Sequence, residues 1–207
     1  VTVLVHLVLA RSGIVIEGPG YEQGNGAQFN SSVVWALGGF LVYLGVASVS
    51  MTFPFALSLG STRRSFTLGT FLYHMGQSAY LAGLIMVLLA IETATGHWFS
   101  DIRIFDVQVL GMGNVLLAGA IAFLGSLTFL SIGSGFGAVW LRYGAKGPIA
   151  VALVVVILLV GLLLILAPYF GQIFANFQMW WLAVLAAAVI VVSMLGQYTG
   201  LRRANIR

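Results

Sequence analysis

Cysteine is absent from this chain of 207 residues, which excludes disulfide bonds, thiolate metal sites and a cysteine nucleophile. Charge is scarce as well. Asp, Glu, Lys and Arg make up 7% of the residues, against roughly 25% in an average soluble domain. Together with 60% hydrophobic residues and a mean hydropathy of +1.07, this scarcity excludes a soluble globular domain, a disordered chain and a nucleic-acid-binding protein.

Catalytic motifs are also missing from the sequence. It contains no HExxH, no GxSxG and no phosphate-cradling GxxxxGK[ST] pattern. Only 5 residues are Asp or Glu, too few to suggest a membrane-side metal site. We therefore expect the chain not to be an enzyme, and to bind no metal or cofactor itself.

Long charge-free intervals are what the sequence does contain. A membrane span needs about 20 apolar residues, and these intervals are apolar throughout, without the alternation of a barrel wall. They predict an all-α membrane protein, a single transmembrane domain over 1–207 with six helices, the first of them partial because its beginning is missing. The predicted spans are approximately 1–10, 33–58, 68–91, 109–131, 149–167 and 180–200.

Glycine and proline predict where the longer intervals break. Residues 107–141 would overshoot the roughly 30 Å hydrocarbon core as one straight helix, so the glycine-rich stretch 131–137 is expected to end span four. The turn between spans five and six is expected at 168–178, which begins with a proline. Other glycines within spans are expected to permit close helix packing, namely Gly38, Gly39, Gly45, Gly76, Gly83, Gly119 and Gly125.

The distribution of charge predicts the orientation. Seven of the 9 Lys and Arg residues follow even-numbered spans, and all 5 acidic residues fall in the alternate loops. By the positive-inside rule the basic side is cytoplasmic, which places both termini inside. No carboxylate lies within a span; Glu92, at the end of span three, is the deepest. Coupling-ion sites usually need such a group, so the chain is not expected to power transport by itself.

The loop between spans two and three has the features of a short capped helix. Pro54 should kink the end of span two, and Gly60 can stop that helix. Ser61 or Thr62 can cap a short following helix that presents Arg63 and Arg64. Such a helix is suited to docking a cytoplasmic partner. The alternative is an ordinary loop that is basic because it lies inside.

Three segments resemble a known family. The string FPFALSLGSTRRSFTLGT (53–70) resembles the intracellular segment of bacterial ABC transporter permeases of the second, exporter-type class. GFGAVWLRYGAKG (135–147) resembles the glycine-rich end of span four in that family, and ETATGHWF (92–99) is of the kind found in its outer segment. The chain departs from the family at its N-terminus, where the first span should be whole.

The resemblance implies partners and a location. Two permease subunits, identical or homologous, would face each other in the bacterial cell membrane, among lipids, with two cytoplasmic ATP-binding subunits below. ATP and magnesium would bind those ATPases. The segment 58–68 would be the coupling helix, with the ATPase contacts Ser61, Thr62, Arg63, Arg64 and Phe66. Arg142 and Lys146 would form a second inner contact or meet lipid headgroups.

Polar residues at membrane depth are candidates for lining a transport pathway: Tyr43, Ser48, His74, Gln77, Asn114 and Gln197. Each could instead make an interhelical hydrogen bond. An uncharged pathway suits an amphipathic or lipid-like cargo better than an ion. Two other functions remain open. One is a non-transporting membrane subunit that anchors or assembles another complex, and the other is a passive or ion-coupled carrier with His74 as its proton site.

Overall fold

The computed structural model describes residues 21–24, 27–30, 32–98, 102–170, 176, 178 and 180–202. Within these residues the chain is helical, as predicted. The helices are α1 (Ser32–Ser50), α2 (Thr52–Ser58), α3 (Arg63–Ala94), α4 (Val115–Tyr143), α5 (Lys146–Leu166) and α6 (Trp180–Arg202). Two 3-10 turns, Gln108–Leu110 and Ala167–Tyr169, precede α4 and follow α5.

Five helical segments of the described residues are long and apolar enough to cross a membrane. They are Ala36–Ser58, Arg63–Ala94, Val115–Tyr143, Lys146–Tyr169 and Trp180–Arg202. Five such segments indicate a multi-pass membrane protein, and they confirm predicted spans two to six as helices. Predicted span 1–10 lies outside the described residues, as does most of the predicted turn 168–178.

Three short strands accompany the helices. Strands β1 (Tyr21–Gly24) and β2 (Ala27–Asn30) pair antiparallel, and β2 pairs in parallel with β3 (Ile102–Arg103). Chain contacts divide the protein into two compact units. The first unit comprises Val1–Phe40 and Gln77–Ser126, and the second comprises Leu41–Gly76 and Leu127–Arg207. Each unit has its own buried apolar cluster.

Helix α1 gives way to α2 near a proline, as expected. α1 ends at Ser50, and α2 begins at Thr52, with Pro54 in its first turn. Proline has no backbone N–H, so the carbonyl of Ser50 receives no bond from the residue four positions on. The helical ladder is interrupted at this point.

The turn after α2 has the predicted glycine stop and helix cap. Gly60 adopts a left-handed φ of 84°, and its N–H donates to the carbonyl of Leu57 while that of Ser61 donates to Ala56. These two bonds form a Schellman motif. The Thr62 hydroxyl accepts the N–H of Ser65 at 3.1 Å, so Thr62 is the N-cap of α3.

The predicted separate short helix after this turn is not observed. α3 runs without a break from Arg63 to Ala94, a length of 32 residues or about 48 Å. No proline follows Thr62 within this stretch, and its isolated glycines lower helix stability without ending the helix. The residues assigned to a coupling helix are therefore the last turn of α2, the Gly60 turn and the first turns of α3.

The prediction that span four ends at 131–137 is wrong, because α4 continues through this stretch to Tyr143. The reason is helix packing. A Cβ on Gly133 would lie 2.2 Å from the carbonyl oxygen of Val42 in α1, and one on Gly137 would lie 2.8 Å from that of Val46. These glycines remove side chains where two helix backbones meet, so they favour packing of the continuous helix instead of ending it.

The other glycines within spans divide into two groups. Gly45 and Gly119 do lie at close contacts, with the backbone of Leu130 and the side chain of Met86 respectively. For four more, the position of a Cβ has no atom within 4 Å, which corrects the expectation that they permit close packing within this chain: Gly39, Gly76, Gly83 and Gly125.

Span four also begins later than predicted. Residues 109–114 are not part of α4, which begins at Val115. Gly111, Met112 and Gly113 all have positive φ, between 50° and 93°, and a helix cannot pass through three left-handed residues. The Asn114 side chain then accepts the N–H of Leu117 at 3.1 Å and caps α4.

Candidate functional site at the basic end of the second unit

A buried apolar cluster supports the Gly60 turn. Val49, Phe53, Ala138 and Leu201 are buried together, so α1, α2, α4 and α6 meet here. Leu57, Phe66 and Leu141 pack against this cluster at its margin. The rings of Phe53 and Phe66 meet edge to face with centroids 5.1 Å apart, which joins α2 to α3. The turn between α2 and α3 is thus fixed on both sides.

Arg63 ties the same turn to the end of α6. Its guanidinium donates a hydrogen bond to the backbone carbonyl of Leu201, in the last turn of α6. A cation is favourable near the C-terminus of a helix, where carbonyl groups lack partners. The predicted coupling residue Arg63 therefore has a structural contact, and its side chain is half-buried.

Arg64 has a different environment. It is the second residue of α3 and its side chain is exposed, as are Ser61 and Thr62 in the turn before it. The N-terminal turn of a helix disfavours a cation by about 0.3–1 kcal/mol. Arg64 thus presents a positive charge to the surroundings at a position where the local helix does not favour one.

Arg142 and Lys146 flank a second turn in the same unit. Arg142 lies in the last turn of α4, and Lys146 is the first residue of α5. Gly144, with a φ of 67°, reverses the chain between them. The Arg142 guanidinium lies 4.7 Å from the centroid of the Tyr143 ring, a cation–π distance. Leu141, next to Arg142, packs on the cluster that supports the Gly60 turn.

These basic residues define what we call the basic end of the second unit. It comprises the Gly60 turn, the Gly144 turn and the last turn of α6, with the cations Arg63, Arg64, Arg142, Lys146 and Arg202. The structure brings Ser61, Thr62, Arg63, Arg64 and Phe66 into one turn, as the sequence predicts.

A cavity of about 390 Å³ opens beside the Gly60 turn. Six of the residues that line it carry hydroxyl groups: Ser48, Thr52, Ser61, Ser65, Thr70 and Tyr73. Phe66 and Gly69 complete the lining. The lining is therefore uncharged, and it combines these hydroxyl groups with a larger area of apolar surface.

Two of the predicted pathway residues contact each other, and one of them, Ser48, lines this cavity. The Ser48 hydroxyl lies 3.0 Å from Nε2 of His74, and it donates to the carbonyl of Gly45 at 2.8 Å. A serine hydroxyl has one hydrogen, so Nε2 of His74 must be the donor in their contact. His74 itself is buried. This bond joins α1 to α3, which accords with the packing interpretation of His74.

The remaining predicted pathway residues have different local environments. Tyr43 is exposed on α1, and Gln77 is half-buried on α3. Asn114 caps α4 in the first unit. Gln197 is buried on α6, and its Nε2 has no hydrogen-bond partner among the described residues. Of the four candidates in the second unit, Ser48 and His74 are the two that a hydrogen bond joins among the described residues.

Glu92 has a role that the sequence did not predict. Its carboxylate is fully buried in the first unit, beside a cluster formed by Leu89, Val107, Leu110 and Ala118. It accepts four hydrogen bonds. The backbone N–H groups of Ile104, Phe105 and Asp106 donate at 3.0, 2.9 and 3.1 Å, and the indole N–H of Trp98 donates at 3.1 Å. One carboxylate thereby fixes the segment before α4.

Asp106 extends this polar cluster. Its Oδ2 lies 3.0 Å from Nε2 of His97 and 3.4 Å from a guanidinium nitrogen of Arg103. His97 and Trp98 both have positive φ, near 60°, which is strained for residues other than glycine. In the sequence, the position of acidic Glu92 at the end of an apolar span was the one sign of this cluster. Its backbone donors could not be identified, because they belong to a later segment of the chain.

Among the described residues there is no group of three or more His, Cys, Asp or Glu side chains that could hold a metal ion. Comparison with known protein families, with curated proteins and with solved structures finds no match to this chain.

Proposed function

We propose that the chain is the membrane-spanning subunit of an ATP-driven ABC transporter of the exporter class, acting in a bacterial cell membrane. Hydrolysis of ATP, with its magnesium, would take place on separate cytoplasmic ATPase subunits, and a second permease subunit would complete the pathway. The observation that carries the proposal is the exposed Arg64, presented on a turn that is fixed to the buried ends of several helices.

Rigidity is what a coupling element requires. A flexible loop would absorb a displacement, because few contacts resist its motion. The Gly60 turn instead carries a Schellman motif at one end and a Thr62 cap at the other. Phe66 packs on the cluster where α1, α2, α4 and α6 meet, and Arg63 bonds the end of α6. A displacement of this turn by a partner would move those helices with it.

The charge of the turn suits a partner with an acidic groove. The N-terminus of α3 does not stabilise the positive charge of Arg64, so this charge is available for an ion pair with a docked protein. The positive-inside rule explains basic residues in such a turn as well. The two explanations differ in what they predict for a bound ATPase.

A pull-down with Arg64→Glu tests this proposal. The tagged chain is purified from its native host in mild detergent, and co-eluting proteins are identified by mass spectrometry and assayed for ATP hydrolysis. We expect an ATP-binding protein to co-elute with the wild type, and its yield to fall about tenfold, a loss of 1.4 kcal/mol, with Arg64→Glu. The substitution should stabilise α3, because an acidic residue replaces a cation at the N-terminus of the helix. Unfolding of the variant would therefore not explain the lower yield.

Arg202→Glu is the matched control, because Arg202 is exposed at the same basic end but lies outside the turn. It should retain the ATPase. An ATP-binding protein that co-elutes equally with wild type and Arg64→Glu would contradict docking at this turn. A wild-type eluate without any nucleotide-binding protein would reject the transporter proposal, and a different stoichiometric partner would support a membrane anchor or assembly subunit.

A further inference from the structure

We propose that the cavity beside the Gly60 turn binds the uncharged, hydroxyl-rich headgroup of a membrane lipid, such as a sugar or glycerol group. The site is independent of the proposed transport function, since it rests on the lining of the cavity and on the apolar surface beside it. Its volume of about 390 Å³ lies within the range of roughly 300–1,000 Å³ for small-molecule sites.

Hydrogen bonding at the cavity wall selects ligands that donate. The hydroxyl of Thr70 donates to the backbone carbonyl of Phe66 at 2.9 Å, and the hydroxyl of Thr52 donates to the backbone carbonyl of Ser48. Ser48 in turn donates to Gly45 at 2.8 Å. Each hydroxyl has a single hydrogen, so these three oxygens can only accept further hydrogen bonds, and that of Ser48 already accepts one from Nε2 of His74. A ligand that reaches them must supply O–H or N–H groups.

Charge distinguishes among such donors. The lining holds no carboxylate that could neutralise an ammonium group, and Arg63 and Arg64 precede the lining residue Ser65 directly. Burial of an unpaired cation is costly. A phosphate only accepts hydrogen bonds, so it could not bond the hydroxyl oxygens of Ser48, Thr52 and Thr70, which we call the inner wall and which also only accept. A neutral group with several hydroxyls satisfies both conditions, because it donates without carrying charge.

The exposed rim of the cavity favours the same class of ligand. Ser61, Ser65 and Tyr73 are exposed, and their hydroxyls can rotate to donate or accept. A polyol presents both donors and acceptors, so it can bond the inner wall and this rim together. The ring of Phe66 offers an apolar surface to the C–H groups of such a ligand.

The surroundings of the cavity indicate a lipid as the source of this headgroup. Leu68, Leu72 and Tyr73 are more than half exposed on α3, which is one of the helices apolar enough to cross a membrane. They adjoin the lining residues Gly69 and Thr70 along the helix. An acyl chain could lie against this apolar surface while its headgroup occupies the cavity, whereas a soluble sugar would gain nothing from it.

Native mass spectrometry of the purified full chain in detergent tests the proposal. The probes are glucosyl diacylglycerol, diacylglycerol without the sugar, phosphatidylethanolamine, and methyl glucoside as the free sugar. We expect the glucosyl lipid to bind at least about tenfold more tightly than the other three. Gly69→Leu should abolish this preference, because a Cβ at Gly69 meets nothing within 4 Å and the leucine side chain can extend into the cavity.

Gly76→Leu is the matched control. Gly76 lies on the same helix, is equally open and is not in the lining, and both substitutions raise helix propensity. It should leave lipid binding unchanged. Thr70→Val keeps the shape of the side chain but removes the hydroxyl acceptor from the lining, so it should weaken binding. Thr199→Val removes a hydroxyl that bonds its own helix in the same way outside the lining, so it should not.

Four results would overturn the proposal. Equal binding of diacylglycerol would show that the headgroup is not recognised, and tighter binding of phosphatidylethanolamine would show a cation or phosphate site. Unchanged binding to Gly69→Leu would place the lipid elsewhere. Binding of methyl glucoside as tight as that of the lipid would assign the site to a soluble sugar. None of these results depends on whether an ATPase co-elutes with the chain.

Discussion

Glu92 shows how a single residue can organise a segment that the sequence leaves unassigned. Each of its carboxylate oxygens accepts two hydrogen bonds, Oε1 from Ile104 and Asp106 and Oε2 from Phe105 and Trp98. A carboxylate is suited to this role because it only accepts. From sequence alone Glu92 is merely the deepest acid of span three, since its backbone donors lie 12 to 14 positions later.

Glu92→Gln should destabilise the first unit. The amide nitrogen would point two N–H groups at backbone or indole donors, leaving them without acceptors. We expect a loss of about 3 kcal/mol in the free energy of unfolding, since hydrogen bonds to charged groups contribute about 1.5–3 kcal/mol. Thermal unfolding in detergent measures this. Thr93→Val is the control, because the Thr93 hydroxyl bonds only carbonyls of its own helix, and an unchanged melting temperature for Glu92→Gln would contradict the account.

The elements of the chain differ in how well sequence predicts them. Charge-free intervals locate the helices because burial in lipid excludes charge over a whole span, and Gly60 with Thr62 marks a turn by local backbone chemistry. The continuity of α4 through 131–137 could not be predicted. Whether glycine ends a helix or lets two helices meet depends on a neighbour distant in sequence, here Val42 and Gly45.

Gly133→Ala tests the packing of α4 against α1. The new Cβ would overlap the Val42 carbonyl oxygen at 2.2 Å and approach the Gly45 Cα at 2.9 Å, and both are backbone atoms that cannot rotate away. We expect the free energy of unfolding to fall by about 1–3 kcal/mol, as for other overpacked contacts. Stability after heating, followed by size-exclusion chromatography, would report it.

Gly125→Ala is the control on the same helix. A Cβ there has no atom within 4 Å, so the alanine should leave stability unchanged or raise it by roughly 0.5–1 kcal/mol through helix propensity. Equal behaviour of the two variants would show that α4 and α1 do not pack through their glycines.

At the scale of the whole molecule, sequence predicts the positions of the five described apolar helices better than it predicts the site. The coupling residues lie next to one another in the chain, so their grouping in one turn is a local property. The pathway candidates were selected only by polarity and depth. Of the six, the structure joins Ser48 to His74, and it uses Asn114 as a helix cap. Tertiary contacts decided those roles.

The central claim is that the Gly60 turn docks a cytoplasmic ATPase, and crosslinking from single cysteines tests it most directly. The chain has no cysteine of its own, so each introduced thiol is unique. Leu59, which is 70% exposed at the Gly60 turn, would be replaced by cysteine, and the exposed Ala94, at the far end of α3, would serve as the control. Both would carry a photoactivated thiol crosslinker in native membranes. We expect Leu59→Cys, and not Ala94→Cys, to crosslink to an ATP-binding protein. A crosslink from Ala94→Cys alone, or none to a nucleotide-binding protein from Leu59→Cys, would contradict the claim.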